Sequence, residues 1–140
     1  MASERPLPRP DDASEGYWQG CRSGELRVQR CTPCGRLRFP PRPMCPRCQS
    51  FRAAWVPVSG RGTVFSWVVA HAPLLPVFAE LAPLVVLLVE LEEGQDLRIV
   101  GNLLGEGREQ VAIGMPVEVA FETVAADVVL PQWRRRACSG

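Results

Sequence analysis

Four of the six cysteines have the spacing of a metal site, because they form two C-x-x-C pairs. Cys31 and Cys34 make the first pair, and Cys45 and Cys48 make the second pair after ten intervening residues. Two such turns joined by a hairpin are typical of a zinc ribbon, in which four thiolates surround one Zn²⁺ tetrahedrally. Four sulfur ligands leave no open coordination position, so we predict one zinc ion with a structural and not a catalytic role.

The remaining cysteine chemistry is limited. A thioredoxin-like dithiol is the alternative for one pair, but it needs a βαβ setting that this sequence does not show. Cys21 and Cys138 have no C-x-x-C companion; we interpret Cys21 as a buried small apolar residue and assign no role to Cys138.

The N-terminal residues are polar and proline-rich, and no apolar run reaches the length of a membrane span. We therefore expect a cytoplasmic protein without membrane contact, in which thiols stay reduced.

Few other side chains can catalyse a reaction. The chain has one histidine, one tyrosine and no lysine, and none of the common nucleophile or phosphate-binding motifs is present. His71 follows an apolar run, and no partner carboxylate is evident for acid–base chemistry. We interpret His71 as a structural or rim residue and expect no catalytic residue in this chain on its own.

Charge is distributed unevenly along the chain. All 16 basic residues are arginine, and residues 1–61 carry eleven of them against five acidic residues. Residues 62–133 carry two basic and ten acidic residues. This excess of carboxylates would repel phosphates, so it argues against the alternative that we keep, a single-stranded nucleic-acid-binding module.

The elements that must position these residues are one short helix and several strands. Asp11 or Asp12 is expected to cap the helix, and Gly24 to end it. Its apolar face contains Tyr17, Trp18 and Cys21, and it either packs on the protein's own body or docks a partner.

After the cysteines, short runs of alternating or apolar residues predict five strands. They are residues 54–59, 63–71, 84–92, 97–104 and 116–122. Val117 and Phe121 would face one side of the last strand and Glu118 the other. Five short strands with Gly- or Pro-containing connections fit a small Greek-key barrel, and the fold class is mainly β.

One connection is unusually apolar. Loop 72–83, "APLLPVFAELAP", includes Leu74 and Phe78 and is broken by prolines. Apolar loops of this kind are seldom left in water. It either closes the barrel mouth as a plug or forms part of a site for an apolar ligand or a partner.

The complete pattern resembles a family of bacterial and archaeal proteins that join an N-terminal rubredoxin-like zinc ribbon to a C-terminal OB-fold. The family was once catalogued as a domain of unknown function and is now called acyl-CoA-associated. The segments that carry the resemblance are "QRCTPCGRLRFPPRPMCPRC", "SGRGTVFSW" and "IGMPVEVAFE", in this order and spacing. The resemblance implies an N-terminal arm and short helix (1–25), a zinc ribbon (26–52), a five-stranded OB-fold barrel (53–133) and a basic tail (134–140).

The same resemblance implies a function. Members of the family are non-catalytic partner subunits of thiolase-like enzymes or of hotdog-fold enoyl-CoA hydratases, and they help to form the acyl-CoA site. The expected zinc ligands are the four paired cysteines. The residues expected to contact acyl-CoA or the partner are Trp18, Arg36, Arg38, Arg42, Arg47, His71, Leu74 and Phe78. The sequence departs from the family at Leu84, where relatives often have an aromatic residue.

Overall fold

The computed structural model describes residues 5–105, 107 and 110–137. It contains one α-helix, one 3-10 helix and eight strands in these ranges. In chain order they are α1 (Glu15–Arg22), β1 (Arg27–Cys31), β2 (Leu37–Arg38), β3 (Ala53–Pro57), β4 (Arg61–Ala70), the 3-10 helix (Pro76–Leu81), β5 (Leu84–Leu91), β6 (Arg98–Asn102), β7 (Pro116–Ala125) and β8 (Val128–Arg135). The mainly β fold with an N-terminal helix is as predicted.

The cysteine turns are attached to a small antiparallel sheet with the strand order β2-β1-β3. Strand β1 pairs along its whole length with β3, from Arg27 opposite Pro57 to Cys31 opposite Ala53. Because Cys31 is the last residue of β1, the sheet fixes where the first cysteine turn begins. At the other end of this sheet, Val58 donates its N–H to the carbonyl of Leu26 at 2.9 Å.

The larger sheet has five strands in the order β6-β5-β4-β7-β8, and all neighbours are antiparallel. Its two outer strands meet again, because Leu103 and Trp133 form a parallel bridge and the N–H of Leu104 donates to the carbonyl of Trp133 at 2.8 Å. The sheet therefore closes into a barrel, which removes its exposed edges.

Alternating residues of these strands fill the barrel. On β5, the side chains of Val85, Leu87 and Val89 are buried, and Trp133 is completely buried. The same apolar cluster includes Tyr17 and Cys21 of α1 and Leu26 and Val28 beside or within β1. Helix, ribbon and barrel thus share one continuous core, which holds the ribbon in a fixed place on the barrel.

The prediction of which segments form the five barrel strands was wrong for two strands. The sequence predicts residues 54–59 as a barrel strand, but β3 pairs with β1 in the ribbon sheet. The fifth barrel strand is β8, which the sequence analysis did not identify. It contains Pro131, which has no N–H to give to a ladder and is tolerated because β8 has a full-length partner only in β7.

The start of α1 also differs from the prediction. Ser14 is the N-cap residue, not Asp11 or Asp12. The carboxylate of Asp11 instead accepts a hydrogen bond from the N–H of Ser14 at 2.8 Å in the turn that precedes the helix. Gly24 follows the helix with φ +74°, as expected for the residue that ends it.

None of the helices within the described ranges combines the length and the apolar content that a membrane crossing requires.

Candidate functional site

The two cysteine turns have the same backbone hydrogen bonds. In the first turn, Gly35 donates its N–H to the carbonyl of Cys31 at 2.7 Å, and the N–H of Cys31 donates to the carbonyl of Arg36 at 2.9 Å. In the second turn, Gln49 donates to the carbonyl of Cys45, and Cys45 donates to the carbonyl of Ser50, both at 2.9 Å. Two copies of one turn therefore present their sulfurs to a common point.

The four sulfurs meet at that point. All four Sγ atoms lie within 4.8 Å of one another, with Cys31 and Cys48 at 3.4 Å and Cys34 and Cys45 at 3.8 Å. A tetrahedral zinc ion with Zn–S bonds of ~2.3 Å separates its sulfurs by roughly 3.8 Å. The cysteines are free thiols, so they can act as thiolate ligands to one metal ion.

Two thiols of this cluster, those of Cys31 and Cys45, have pKa values shifted in opposite directions. The N–H of Cys48, together with that of Arg47, favours the thiolate of Cys45 and lowers its pKa to about 6. The N–H of Cys34 also favours the thiolate of Cys31, but burial and the neighbouring sulfurs raise the pKa of Cys31 to about 12. Binding of a divalent metal ion must therefore displace at least one proton that the cluster holds at neutral pH.

The four ribbon arginines predicted to make contacts have different environments. Arg38 is buried, and its guanidinium donates to the side-chain oxygen of Gln29 at 2.8 Å and to the carbonyl of Arg42 at 2.9 Å. Arg36 and Arg42 line a cavity of about 160 Å³ in front of it, whereas Arg47 is exposed elsewhere on the second turn. In the part of the chain that the structure describes, none of these four arginines forms a salt bridge.

Trp18 and Cys21 mainly serve the protein's own packing. Cys21 is 1% exposed, as predicted, and burial raises the pKa of its thiol to about 12. Trp18 is half-buried against the core and lines a cavity of about 190 Å³ with Pro8 and Pro10 of the N-terminal arm. Of the two alternatives for this helix face, the structure supports packing on the chain itself.

Loop 72–83 does not plug the barrel. None of the residues of its 3-10 helix is buried, and Leu75 is 64% exposed. Leu74 and Phe78 are half-buried, and the guanidinium of Arg5 lies over the Phe78 ring at 5.7 Å from its centroid. His71 is exposed, directly after the end of β4. The loop therefore presents apolar side chains at one end of the barrel.

Sequence reasoning missed a second apolar surface on the outer side of the barrel. We call it the outer apolar patch; it comprises Phe65, Val68, Val86, Leu88 and Val100. A bulge in β4 leaves Phe65 without a partner on β5, so that its ring is 45% exposed. The other four residues line a cavity of about 230 Å³. The only sequence signal for this patch is the alternation of side chains along neighbouring strands. That signal locates the patch only when the register between the strands is known.

The arginine beside this patch is already paired. The guanidinium of Arg98 lies 4.0 Å from the centroid of Phe65 and is bonded to Glu90 at 3.0 Å, with Asp96 at 3.6 Å. A surface that binds single-stranded nucleic acid needs positive charge beside its aromatic rings. Because the arginine beside the outer apolar patch is already paired, the patch does not favour a role in binding single-stranded nucleic acid.

These features define a protein in which a zinc ribbon and an OB-fold barrel share one core. Family comparisons agree. A model of the "ChsH2, rubredoxin-like zinc ribbon domain" matches residues 18–52, and a model of the "ChsH2, C-terminal OB-fold domain" matches residues 55–122. The chain belongs to the ChsH2-type, or DUF35, family of zinc-ribbon and OB-fold proteins. The prediction of one zinc site in the ribbon is confirmed by this match and by the clustered thiols.

Several relatives have descriptions that bear on function. The chain is 42% identical over 132 residues to the 3-oxo-4,17-pregnadiene-20-carboxyl-CoA hydratase alpha subunit of Mycobacterium tuberculosis, which covers 94% of this chain and 38% of that subunit. It is 39% identical over 99 residues to a DUF35 domain-containing scaffold protein of Methanocaldococcus jannaschii, covering 70% of this chain and 68% of the relative. The chain spans about two fifths of the length of the hydratase alpha subunits that it matches.

A solved structure is similar along nearly its whole chain. A chain of the structure described as "Ltp2-ChsH2(DUF35) aldolase" superimposes with a TM-score of 0.83 and is 38% identical. The match covers 91% of this chain and 98% of the other. A DUF35 protein of unknown function from Sulfolobus solfataricus, 15% identical with a TM-score of 0.60 over 89% of this chain and 86% of the other, shares the fold.

Proposed function

We propose that this chain is a non-catalytic partner subunit of an enzyme that processes acyl-CoA thioesters, and that it helps to form the acyl-CoA site of that enzyme. The partner would be thiolase-like or enoyl-CoA-hydratase-like. The proposal depends mainly on one comparison. This chain matches 98% of the length of one chain in the structure described as "Ltp2-ChsH2(DUF35) aldolase". The names of the hydratase alpha subunit and of the archaeal scaffold protein support the same class of function.

The exposed apolar side chains are consistent with a protein-binding role. Leu75 and Leu81 on loop 72–83 are 64% and 40% exposed, and Val68 and Val100 on the outer apolar patch are 58% and 60% exposed. Contiguous apolar surfaces of this kind are typical of interaction sites. We propose that loop 72–83, with His71, Leu74 and Phe78, contacts the partner enzyme.

The ribbon would supply positive charge to the CoA moiety. Arg36 and Arg42 line one cavity, and Arg47 is exposed on the neighbouring turn. Guanidinium groups bind phosphate oxygens in a bidentate manner. We propose these three as phosphate contacts. We leave out Arg38, since it is buried and the Nε and Nη2 atoms of its guanidinium are already bonded inside the ribbon.

Co-expression tests this proposal. The chain should be co-expressed with thiolase-like and hydratase-like enzymes encoded near it, and complexes measured by size-exclusion chromatography with light scattering. We expect one stable complex, and Leu75→Asp should weaken it at least tenfold. Ile113→Asp is the matched control, because Ile113 is also 64% exposed but lies next to Gly114, which is bonded to Val64 near the opposite end of β4. Failure of every acyl-CoA enzyme to bind, or equal effects of the two substitutions, would contradict the proposal.

A further inference from the structure

The barrel is closed between β6 and β8, but β4 is paired on both sides along only part of its length. Residues 61–63 pair with β7, and Val64 donates its N–H to the carbonyl of Met115 at 3.0 Å. Residues 66–70 pair with β5 alone. In the part of the chain that the structure describes, no backbone group is bonded to the other side of these five residues. We call residues 66–70 the open edge of β4.

The segment beside the first half of β4 turns away before it reaches the open edge. Gly114 donates its N–H to the carbonyl of Val64 at 2.8 Å. Four residues earlier, the carbonyl of Gln110 accepts a hydrogen bond from Arg135 of β8 at 2.7 Å. The chain between these positions is therefore directed toward β8, and it does not extend along the open edge.

Side chains of the open edge are exposed on both faces of the sheet. Val68 lies opposite Val86 and belongs to the outer apolar patch. Trp67 lies opposite Leu87, which is completely buried, yet Trp67 is 39% exposed. Since directly opposed residues share one face of a sheet, Trp67 is on the core face. It is exposed because no strand lies on its other side.

The open edge lacks the residues that usually prevent strand addition. Natural edge strands are commonly protected by charged side chains or by proline, and the sequence "SWVVA" contains neither. Strands β6 and β7 also have residues that are paired on one side only. Charged side chains lie there, Arg98 in β6 and Glu122 in β7, and Glu122 is bonded to Arg5 of the N-terminal arm at 2.9 Å. An exposed and uncharged edge is a template for another strand.

We infer that the open edge of β4 binds an extended strand of the partner enzyme, which adds to the barrel sheet beside β4. In such complexes the main-chain hydrogen bonds give affinity, and side chains at alternate positions give specificity. The added strand should be uncharged and apolar, because its side chains lie against Trp67 on one face and Val68 on the other. That the strand belongs to an acyl-CoA-processing enzyme rests on the proposed function, whereas the strand-binding edge does not.

A second copy of this chain fits the open edge less well. Five residues of extended strand are about 17 Å long, and stable dimers bury roughly 1,200–2,000 Å². Two-fold pairing of two open edges would place the two copies of loop 72–83 at opposite ends, so the paired strip alone falls short of that area. A partner enzyme can cover the edge and the loop together, since β4 ends at Ala70 just before the loop begins.

Hydrogen exchange in the complex tests this inference. The chain is co-expressed with the thiolase-like or hydratase-like enzyme that binds it, and its exchange is compared by mass spectrometry with that of the chain alone. We expect the unpaired amides among residues 66–70 to exchange at least tenfold more slowly in the complex. Residues 86–90 of β5 are already paired on both sides and should not change. Unchanged exchange at residues 66–70 in a stable complex would overturn the inference and leave the proposed function intact.

Two valines of nearly equal exposure distinguish the open edge from the rest of the outer apolar patch. Val68 is 58% exposed on the edge, and Val100 is 60% exposed on β6. Lysine on an edge opposes strand addition, so Val68→Lys should weaken the complex at least tenfold, whereas Val100→Lys should change it less than threefold. Thermal unfolding shows whether each variant is folded, and the exchange experiment requires neither of them. Equal effects would show that the face of the sheet makes the contact and not the edge.

The chain alone separates this inference from the proposed function. If no enzyme binds, a seven-residue peptide of alternating threonine and valine is titrated into the ¹⁵N-labelled chain, with a peptide that carries a central proline as the control. Saturable shifts of the amide signals of residues 66–70 with the first peptide alone would retain the strand-binding edge and remove the enzyme role. Without such shifts the edge is refuted as well. Dimers of the chain in light scattering, with residues 66–70 protected from exchange, would assign the edge to a second copy and overturn the inference.

Discussion

Gly35 and Gln49 occupy equivalent positions, each four residues after the first cysteine of a turn and each donating its N–H to that cysteine's carbonyl. Both have left-handed backbone angles, φ +73° for Gly35 and φ +63° for Gln49. Glycine adopts this region without cost, whereas a residue with a side chain is strained there. The second cysteine turn is therefore the less relaxed of two otherwise matching turns.

Exchanging these residue types should have opposite effects. Gln49→Gly should raise the free energy of unfolding by up to about 1 kcal/mol, because it relieves the backbone of the second turn. Gly35→Gln should lower it by about 1 kcal/mol or more for the converse reason. Chemical denaturation of the zinc-loaded chain measures both. Changes of the same sign would show that the two turns are not equivalent.

Loss of one zinc ligand should remove the metal and unfold the ribbon. We expect Cys48→Ser to reduce the zinc content from one ion per chain to nearly none, and to lower the free energy of unfolding by more than about 5 kcal/mol. The effect extends beyond the turns because β1, which leads into Cys31, carries Val28 into the common core. Metal analysis after dialysis measures the zinc, and urea denaturation measures the stability.

Cys21→Ala is the control for this experiment. It removes a cysteine that lies outside the cluster, so it should retain one zinc ion per chain. Full zinc content in Cys48→Ser, or loss of zinc in Cys21→Ala, would contradict the assignment of the metal site.

High pH should destabilise the protein through its buried acids. Burial raises the pKa of Cys21 from 9.0 to about 12 and raises the pKa of Tyr17 above its ordinary value. Between pH 9 and 12 the unfolded thiol ionises while the folded thiol stays protonated. The stabilisation is therefore complete below pH 9 and is lost as the pH rises toward 12.

The contribution of Cys21 to this loss of stability can be measured separately. At pH 10.5 ionisation of the unfolded thiol should cost about 2 kcal/mol of stability relative to pH 8. Urea denaturation at the two pH values measures the decline, and Cys21→Ala should show a smaller decline by about that amount. Identical declines in the two proteins would mean that Cys21 does not titrate differently on folding.

The sequence predicted those parts of the molecule that depend on local patterns. The spacing of the cysteines predicted that Cys31, Cys34, Cys45 and Cys48 meet at one metal site, and the apolar runs located β5 and β7. It could not assign strand partners, because alternation shows that a segment is a strand but not which strand it joins. For this reason β3 was grouped with the barrel, and β8, with Pro131 and its terminal arginines, was missed.

The proposed partner surface depends on contacts between distant residues. Arg5 and Glu122 are 117 positions apart, and nothing in either local sequence indicates that they meet. The burial of Arg38 was equally hidden, since it depends on Gln29 of the neighbouring strand. The domain limits and the contact residues drawn from the family resemblance remain predictions.

Two glycines of α1 set how closely the helix approaches the ribbon sheet. A Cβ atom at Gly20 would lie 2.6 Å from the carbonyl oxygen of Glu25, and one at Gly16 would overlap the indole of Trp55. The carbonyl of Glu25 cannot move freely, because the N–H of the same residue is bonded to the carbonyl of Gly20 at 2.8 Å. We expect Gly20→Ala to lower the free energy of unfolding by roughly 1–3 kcal/mol, although alanine favours the helix itself.

Gln19→Ala distinguishes this packing effect from helix propensity. Gln19 is exposed on the same helix, so its replacement by alanine should change the stability by no more than about 0.5 kcal/mol. Urea denaturation of the two variants provides the comparison. Helix α1 packs on β1, β3 and β8 together. An alanine at position 20 should push the helix away from these strands and so increase the solvent exposure of Cys21. Faster reaction of Cys21 with a thiol reagent would measure this change. A Gly20→Ala variant as stable as Gln19→Ala, with Cys21 equally protected in both, would show that helix and sheet can separate without cost.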